Sequence, residues 1–346
     1  MDPLSQLPIP LLSWYRDNAR DLPWRRDPDP YRVWVSEIML QQTRVSAVLG
    51  YYARFLEAFP TVADLARADE DRLMKLWQGL GYYSRARNLQ KAARQIMDRH
   101  GGVFPSAYAD IRALAGVGDY TAAAIASIAF GQPVPAVDGN LLRVTARVMG
   151  DETDVTAPRG KRHFTEALAA VMPLEAPGRF NQAMMDLGAL VCLPNGAPLC
   201  EKCPAAPFCA ARRTGRTGSL PVRSPKKPRR QEDRVVFLLF REGRVALRKR
   251  PDRGLLAGLW EYPNAPAPAE HYLEEQGVVP GSATFGGAGT HVFTHVEWHM
   301  TARIVSAEGE ALPPGWVWAG KAAWAADYAI PSAFAPFRAA VEERLL

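Results

Sequence analysis

The character of the amino-acid sequence changes once, at a proline-rich and basic stretch near residue 225. Residues 219–230 hold three prolines and five basic side chains, and few side chains that could form a core. Before this stretch, segments such as 70–100 and 121–130 place apolar residues three and four positions apart, which predicts helices. After it, residues 234–240 are rich in Val, Leu and Phe, which predicts a strand. The chain is therefore predicted to fold as a helical part followed by a part that contains a sheet.

A chain of 346 residues exceeds the usual size of a single core, so two domains are expected. We place an all-α domain at residues 1–218, a basic, proline-rich linker at 219–232 and an α/β domain at 233–346. Within the α/β domain, the sequence predicts a hairpin turn at Glu242-Gly243, further strands between 291 and 305, and a helix from 332 to 346.

Composition excludes several classes of protein. Charged residues make up 23% of the chain, which is ordinary for a globular protein. The N-terminus lacks the basic segment and apolar run of a secretory signal. The most apolar stretch, residues 122–130, is far shorter than the ~20 residues that a membrane-spanning helix needs. We therefore expect a cytoplasmic protein without a signal peptide or transmembrane segment.

The positive charge of the chain is concentrated in one region. Between Cys200 and Arg234, ten Lys and Arg residues stand against three Asp and Glu residues, a local balance of +7. The whole chain carries +6, so the remainder sums to −1. A basic run is often only a solvated surface, but its position beside a cysteine cluster favours a patch that faces phosphates.

All four cysteines of the chain lie within eighteen residues. Their spacing, Cys-x7-Cys-x2-Cys-x5-Cys, is typical of a structural metal loop in a reducing compartment. Four thiolates suit either a tetrahedral zinc ion or a [4Fe–4S] cluster, and zinc is the default for such a loop taken alone. The candidate metal ligands are Cys192, Cys200, Cys203 and Cys209.

Two glycines and a carboxylate mark a candidate site for DNA. Gly116 and Gly118 join two predicted helices, so bare backbone N–H groups at the second helix could bind a phosphate. Asp138 follows Gly118 by twenty residues, in a Val-Asp-Gly-Asn sequence before the next helix. Taken singly, the glycines also fit an ordinary helix corner and Asp138 also fits a helix N-cap.

Glu37 is the one carboxylate within an apolar helical segment at residues 31–43. Burial of an unpaired acid is costly and raises its pKa, which suits a proton donor. The same pattern would arise from an exposed Glu on the polar face of an amphipathic helix, and that alternative stays open here.

Together, these motifs resemble the helix–hairpin–helix DNA glycosylase superfamily and, within it, the adenine DNA glycosylases. The resemblance covers nearly the whole chain. It rests on the Ser-Glu-Ile-Met-Leu-Gln-Gln-Thr helix, the glycine hairpin, the Val-Asp-Gly-Asn loop and the cysteine loop, and on matches at residues 22–25, 79–87 and 180–188. It implies a [4Fe–4S] cluster rather than zinc. The family usually has six residues after the first cysteine, and this chain has seven, which affects the path of the loop.

The resemblance implies a mechanism with two carboxyl groups. Glu37 would protonate adenine at N7 and later help to activate water, and ionised Asp138 would stabilise the cationic sugar, with Asn140 in the same pocket. Related enzymes that also cut the strand have a lysine where this chain has Tyr120, and a phenol cannot form the required imine. A monofunctional enzyme that leaves an abasic site is therefore expected. A bifunctional enzyme resembling endonuclease III is the alternative.

Other matched positions are implied to contact the substrate. Gln42 would fill the gap left by the flipped adenine, Tyr82 would press beside the partner base, and Gln182 would contact the adenine edge. Trp24 and Arg25 match neighbours of the pocket. A solvated Gln42, a core Tyr82 and a surface Gln182 are the ordinary alternatives. The implied partner is double-stranded DNA with adenine opposite 8-oxoguanine or guanine, and we expect a monomer.

Residues 233–346 resemble the Nudix fold that this family uses to sense 8-oxoguanine. Phe293, Thr294 and His295 stand where the family has Phe-Ser-His, and they would contact the oxidised base. The Arg-Glu-x-x-Glu-Glu sequence of Nudix hydrolases is absent, which disfavours a nucleotide hydrolase. The two carboxylates at family positions disfavour a DNA-binding module without catalysis.

Overall fold

The computed structural model describes residues 2–225 and 228–346, and its contacts divide the chain into two compact units. The first unit comprises residues 1–67 and 88–226, and the second comprises residues 68–87 and 227–346. Within the described residues, none of the helices combines the length and the hydropathy that crossing a membrane requires.

The first unit is built from helices and short 3-10 turns. Its helices are α1 (Pro8–Asn18), α2 (Pro23–Arg26), α3 (Pro30–Leu40), α4 (Val45–Ala58), α5 (Val62–Arg67), α7 (Ser84–His100), α8 (Tyr108–Arg112), α9 (Asp119–Phe130), α10 (Gly139–Met149), α11 (Pro158–Val171), α12 (Pro177–Leu190) and α13 (Ala210–Arg213). The 3-10 turns span Pro3–Gln6 and Cys200–Lys202.

Helix α9 lies at the centre of the first unit. Every residue from 121 to 127 is buried, and the small side chains of this run let neighbouring helices approach closely. The core around it joins the N-terminal turn to α10 and α12 through Leu4, Leu141 and Phe180. Helix α9 packs against both α3 and α12, and α10 also packs against α12. This packing brings the candidate carboxylates of α3 and of the start of α10 into one region.

The second unit contains the α/β fold. It holds α6 (Glu70–Trp77) and the elements β1 (Arg230–Arg241), β2 (Arg244–Lys249), β3 (Trp260–Glu261), β4 (Asn264–Pro266), α14 (Tyr272–Glu275), β5 (Pro280–Val292), β6 (Val296–Ala307), β7 (Trp316–Ala319), α15 (Lys321–Ala326) and α16 (Arg338–Glu342). The strands form a mixed sheet in the order β3-β2-β1-β6-β5, with β4 paired to β1 and β7 paired to β2. Strands β1 and β6 are parallel, and the other pairs are antiparallel.

Side-chain alternation along β1 explains how the sheet is covered on both faces. Val236 and Leu238 pack with Trp298 and the C-terminal helices, whereas Val235 and Phe237 pack with the segment around α14. The predicted combination of an all-α part followed by an α/β part is confirmed.

Two predicted helical segments differ from the structure. The helical stretch 70–100 is broken between α6 and α7, because Gly79 and Gly81 adopt positive φ values of 102° and 70°. The C-terminal segment begins as a 3-10 turn at Ser332–Phe337, since Pro336 cannot donate a helical hydrogen bond.

The segment predicted as a linker, 219–232, is ordered at both ends. Leu220 is buried in the first unit, and strand β1 begins at Arg230, three residues before the predicted domain start. Positions 226 and 227 of this segment lie outside the described residues.

Candidate active site

Glu37 lies on α3 among buried neighbours and is itself 5% exposed. The pKa of this carboxyl is raised to about 7, chiefly by burial and in addition by the nearby charge of Asp138. The hydrogen bond from Tyr120 and the positive charge of Arg25 each lower the pKa of Glu37. The alternative of an exposed Glu is therefore wrong. The site presents an acid that can hold and release a proton near neutral pH.

Tyr120 reaches Glu37 from α9. Its hydroxyl donates a hydrogen bond to Oε2 of Glu37 over 2.7 Å, and burial raises the pKa of the phenol well above its usual value. The phenol is therefore a neutral donor beside the carboxyl group. No side chain caps α9 at Gly118, so the first N–H groups of that helix remain available to an anion.

The turn before α9 requires glycine at position 116. Gly116 has a φ of 73°, and a Cβ there would lie 2.5 Å from Cβ of Asn88 on α7. The sequence therefore permits a tight hairpin between α8 and α9, as the glycine spacing predicts.

Asp138 is the N-cap of α10, and the capping role organises its carboxylate. Oδ1 accepts hydrogen bonds from the backbone N–H groups of Asn140 and Leu141, each at 2.8 Å. Oδ2 accepts from Nδ2 of Asn140, also at 2.8 Å. Burial raises the pKa of Asp138, while these donors and Arg143 lower it. The N-cap interpretation of Asp138 is therefore correct. The same hydrogen bonds also hold its carboxylate in a fixed orientation near Glu37, so capping is compatible with a role in the site.

Two buried arginines on α10 link this carboxylate to the cysteine loop, and sequence reasoning missed both. Arg143 donates to Oδ1 of Asn140 and to the carbonyl oxygen of Cys192, each over 2.8 Å. Arg147 donates to the sulfur of Cys192 over 3.3 Å and to the carbonyl of Leu193 over 2.9 Å. Two arginines four residues apart, within the mostly apolar segment 141–149, are the signal that could have found them.

A third missed residue is Asp186 on α12, whose side chain is wholly buried. Its carboxylate accepts from Nη1 and Nη2 of Arg25 over 2.6 and 2.9 Å. It also accepts from the backbone N–H and Nε of Arg20 over 3.1 and 2.7 Å. An acid within an apolar helix is the same signal that marked Glu37, and it was present in the sequence.

The other predicted pocket residues occupy distinct environments. Oε1 of Gln182 accepts a hydrogen bond from the Tyr15 hydroxyl over 2.9 Å, and Gln182 is partly exposed. Trp24 is buried, with its ring edge-on to Tyr52 at a centroid distance of 5.1 Å. Gln42 is exposed with a φ of 58°, a strained backbone for a non-glycine residue that favours a functional constraint over a merely solvated side chain.

The four cysteines line one cavity of about 20 Å³, together with Arg147 and Arg212. Burial raises the pKa of Cys200 and Cys209, and it raises the pKa of Cys203 to about 12. Within the described residues, no group of three or more His, Cys, Asp or Glu side chains is arranged to hold a metal ion. The donor chemistry is all sulfur with two cations beside it, and it fits a thiolate-bound centre once ligation displaces the thiol protons.

The extra residue in the first cysteine spacing falls in an exposed turn. Positions 194–197 are exposed, and the backbone N–H of Leu199 returns to the carbonyl of Val191 over 2.9 Å. This closure brings the chain back to Cys200, so the longer spacing leaves the cysteines around the same cavity.

In the second unit, the Phe293–Thr294–His295 loop joins β5 to β6. With Tyr82 and residues 254–257, it lines a cavity of about 770 Å³. The Tyr82 hydroxyl lies 3.3 Å from Oγ1 of Thr294, and Tyr82 is 45% exposed, so the core interpretation of Tyr82 is wrong.

Phe293 is held at its ring edges within the same unit. Its centroid lies 4.5 Å from that of His291 and 4.9 Å from that of Trp298. Thr294 and His295 are exposed at the loop tip. The loop thus combines one fixed aromatic ring with two accessible polar side chains, an arrangement that can contact a planar group with polar edges.

The place where a Nudix hydrolase would bind metal has a different chemistry here. Glu261 is wholly buried and accepts from Arg248 and Arg250, each over 2.7 Å. Helix α14 is only Tyr272–Glu275, and the described residues offer no metal-binding carboxylate group there. The buried carboxylate of Glu261 is therefore paired with two arginines.

Comparisons with known proteins agree with this geometry. Residues 35–170 match the HhH-GPD superfamily of base excision DNA repair proteins, and residues 235–340 match the NUDIX domain. The human adenine DNA glycosylase is 35% identical over 89% of this chain and 69% of its own length, and the mouse adenine DNA glycosylase is 36% identical over 89% and 72%. A thermostable thymine-DNA glycosylase superimposes with a TM-score of 0.57 at 28% identity, covering 61% of this chain and 97% of that structure.

Proposed function

Because the chain belongs to the adenine DNA glycosylases, within the HhH-GPD superfamily of base excision repair proteins, we propose that it hydrolyses the N-glycosidic bond of adenine mispaired with 8-oxoguanine or guanine. The observation that carries this proposal is the pairing of the two carboxyl groups. Glu37 keeps a proton near neutral pH. The carboxylate of Asp138 accepts three hydrogen bonds, which hold it in a fixed orientation. One acid and one carboxylate are what cleavage through a cationic sugar requires.

In the proposed reaction, Glu37 transfers its proton to N7 of the flipped adenine, and the C1′–N9 bond breaks with its electron pair leaving on the base. Asp138 stabilises the positive charge that develops on the sugar. Water then adds to C1′, and its proton returns to Glu37. Tyr120 donates to Glu37 throughout and offers no amine, so the reaction ends at an abasic site rather than at strand cleavage.

DNA binding is proposed to place the adenine in this pocket by base flipping. Gln42 would enter the gap in the stack, and the uncapped N–H groups after Gly118 would hold a backbone phosphate. Gln182, Trp24 and Arg25 would surround the extruded base. We further propose that the enzyme acts as a monomer on nucleoid DNA in the cytoplasm.

We propose that the four cysteines hold a [4Fe–4S] cluster. When bound, the cluster would fix the loop 192–209 and supply a rigid support for basic side chains toward DNA phosphates. Lys202, Arg212 and Arg213 are the basic residues of this loop region that would face the DNA. Arg147 would donate to the Cys192 sulfur in that state as it does here.

We propose that the Phe293–Thr294–His295 loop reads the base opposite the adenine. 8-Oxoguanine carries an N7–H donor that guanine lacks, and the Thr294 hydroxyl can accept from it. Tyr82 would lie against the same base pair, in line with its exposure and its position beside Thr294.

The direct test is excision from defined duplexes. Adenine opposite 8-oxoguanine and opposite guanine should yield abasic sites, detected by strand cleavage on alkaline treatment, whereas adenine opposite thymine should not. The Glu37→Gln protein serves as the matched control. Absence of abasic sites in every duplex, with the folded protein bound to DNA, would refute the proposed activity.

A further inference from the structure

Tyr82 lies on a turn of the second unit whose backbone is strained. Gly79 and Gly81 have φ values of 102° and 70°, and Tyr82 has a φ of 48° although it is not a glycine. A residue with a side chain keeps such a backbone only where surrounding contacts fix it. The ring of Tyr82 is exposed, so burial of this ring is not what fixes the turn. The residues on either side of the turn supply the fixing contacts.

Two buried side chains set the internal shape of the turn. The carbonyl oxygen of Gly81 accepts hydrogen bonds from Nε1 of Trp77 over 3.1 Å and from Nη2 of Arg85 over 3.0 Å. The same nitrogen of Arg85 donates to the carbonyl oxygen of Leu80 over 3.0 Å. The guanidinium carbon of Arg85 also lies 5.7 Å from the ring centroid of Tyr82. These contacts lie within residues 77–85.

A different set of contacts fastens the end of α6 to the chain around the end of α15. Gln78 is the C-cap of α6, and its Nε2 donates to the carbonyl oxygen of Ile330 over 2.8 Å. Three residues earlier, Nζ of Lys75 donates to the carbonyl oxygens of Ala325 and Tyr328. All of these residues belong to the second unit. Gln78 is the member of this set that is nearest to the turn in sequence.

The hydrogen bond to Ile330 also reaches the opposite wall of the cavity that the turn lines. Residues 331–333, which follow Ile330, line this cavity of about 770 Å³ together with the turn and the Phe293–His295 loop. Phe334 comes next and packs in the sheet core with Trp298. The ring of Trp298 in turn lies edge-on to Phe293, with centroids 4.9 Å apart. One hydrogen bond therefore connects the turn to the core that supports the loop.

We propose that Gln78 is a positioning residue for recognition of the base opposite the adenine: its hydrogen bond to Ile330 sets the position of Tyr82 relative to the Phe293–His295 loop. The inference rests on the proposed roles of Tyr82 and of this loop. It assigns to Gln78 no contact with DNA. The distance of 3.3 Å between the Tyr82 hydroxyl and Oγ1 of Thr294 is the separation that this hydrogen bond controls.

The backbone of the turn explains why an anchor is needed directly before it. A displacement of about 0.5 Å is enough to weaken contacts in a recognition site. Gly79 and Gly81 adopt positive φ without steric cost, so they give the turn the freedom to move by that amount. Gln78 holds the start of the turn and Arg85 holds its end. With both ends held, Tyr82 stays at a fixed distance from the loop.

The test is a double-variant cycle on one ratio, the single-turnover rate of adenine excision opposite 8-oxoguanine divided by the rate opposite guanine. Gln78→Met keeps the length of the side chain and removes the donor. The ratio should fall about two- to tenfold, as expected for one lost hydrogen bond. Tyr82→Ala should also lower the ratio. The double variant should match Tyr82→Ala, because Gln78 acts through Tyr82.

Three further variants separate the hydrogen bond from general damage to the fold. Gln78→Glu has the shape of glutamine but, when ionised, no donor, so it should lower the ratio as Gln78→Met does. Gln78→Lys keeps an N–H donor and should retain most of the wild-type ratio. Asp71→Asn removes an exposed contact of α6 with Lys249, and it should leave the ratio unchanged because exposed ion pairs contribute little.

The results that would overturn the inference differ from those that would overturn the proposed function. A wild-type ratio in Gln78→Met and Gln78→Glu, with a low ratio in Tyr82→Ala, would refute the role of Gln78 alone. A double variant whose loss is the product of the two single losses would do the same. If Gln78→Met does not fold, the cycle is run with Gln78→Glu. A wild-type ratio in Tyr82→Ala would refute the role of Tyr82 as well, and absence of abasic sites with the wild type would refute the proposed function.

Discussion

The hydroxyl of Tyr120 donates to Oε2 of Glu37 over 2.7 Å, so the acid and the phenol form one buried unit. Tyr120 has no nucleophilic nitrogen, so it cannot form an imine with an abasic sugar. The proposed reaction depends on both residues, on the proton of Glu37 and on the lack of an amine at position 120, and the first predictions test each of these features.

Glu37→Gln keeps the shape of the side chain and its place on α3 but removes the transferable proton. General acid catalysis contributes roughly 100- to 10,000-fold, so the rate of adenine release should fall by that order. Binding of the duplex should be retained, and gel shift or anisotropy can measure it. Asp138→Asn should show a comparable loss in single-turnover assays. Near-normal excision by Glu37→Gln would contradict the assignment of the acid.

The same substitution should change stability in a pH-dependent way. The raised pKa of Glu37 means that the folded state binds more protons than the unfolded state between pH 4.5 and about 7, so this residue reduces stability as pH rises through that range. At pH 8 the reduction amounts to about 3 kcal/mol at most. Glu37→Gln should therefore be more stable than the wild type at pH 8 and closer to it at pH 5, by urea unfolding at both values. An equal difference at both pH values would show that Glu37 is not held protonated.

Borohydride trapping tests the other half of the Tyr120–Glu37 relationship. Reduction captures an enzyme–DNA imine, and position 120 supplies no amine to form one. Incubation of the enzyme with an adenine–8-oxoguanine duplex and borohydride should give no efficient covalent complex on denaturing gels. A lysine-bearing glycosylase provides the positive control, and trapping at its level would refute monofunctional chemistry.

Metal analysis tests the cysteine loop. We expect about four irons for each chain and a brown protein, as a [4Fe–4S] cluster on Cys192, Cys200, Cys203 and Cys209 requires. Cys203→Ser should lose iron and weaken duplex binding, because the basic residues near the loop would lose their support. Binding of the wild type should weaken on added salt more steeply than that of the variant. Zinc at full occupancy without iron would contradict the proposal.

Sequence reasoning located two residues whose chemistry is visible locally, missed Asp186 although its pattern is also local, and missed the contacts that join distant positions. Glu37 and Asp138 stand out because an acid in an apolar helix and a carboxylate before a helix each have a recognisable pattern. The Arg25–Asp186 pair joins positions 161 residues apart, and only packing of α2 against α12 brings them together. Arg143 looked like an ordinary helix residue, since two of its partners, the carbonyl oxygens of Cys192 and Gly188, lie 49 and 45 residues away in sequence.

The final prediction concerns recognition of the base opposite the adenine. The division of the chain into two units determines which variant can test it. The sequence suggests deletion of residues 233–346 as the test. This deletion should leave adenine excision intact and reduce the preference for 8-oxoguanine over guanine. Residues 68–87, however, pack within the second unit: Gln78 donates to the carbonyl of Ile330 over 2.8 Å. Deletion would therefore disturb the surroundings of Tyr82 as well as removing the Phe293–His295 loop.

Point substitutions isolate the loop itself. Thr294→Ala removes the hydroxyl. The rate of excision opposite 8-oxoguanine, divided by the rate opposite guanine, should fall by the factor that corresponds to the loss of one hydrogen bond, ~1–3 kcal/mol. Thr294→Ser is the matched control, because it keeps the hydroxyl and should retain the preference. Excision opposite guanine should change little, since guanine has no N7–H to donate. If Thr294→Ala discriminates as well as the wild type, Thr294 is not the reader. If the deleted chain also keeps full preference, the second unit is not the lesion sensor.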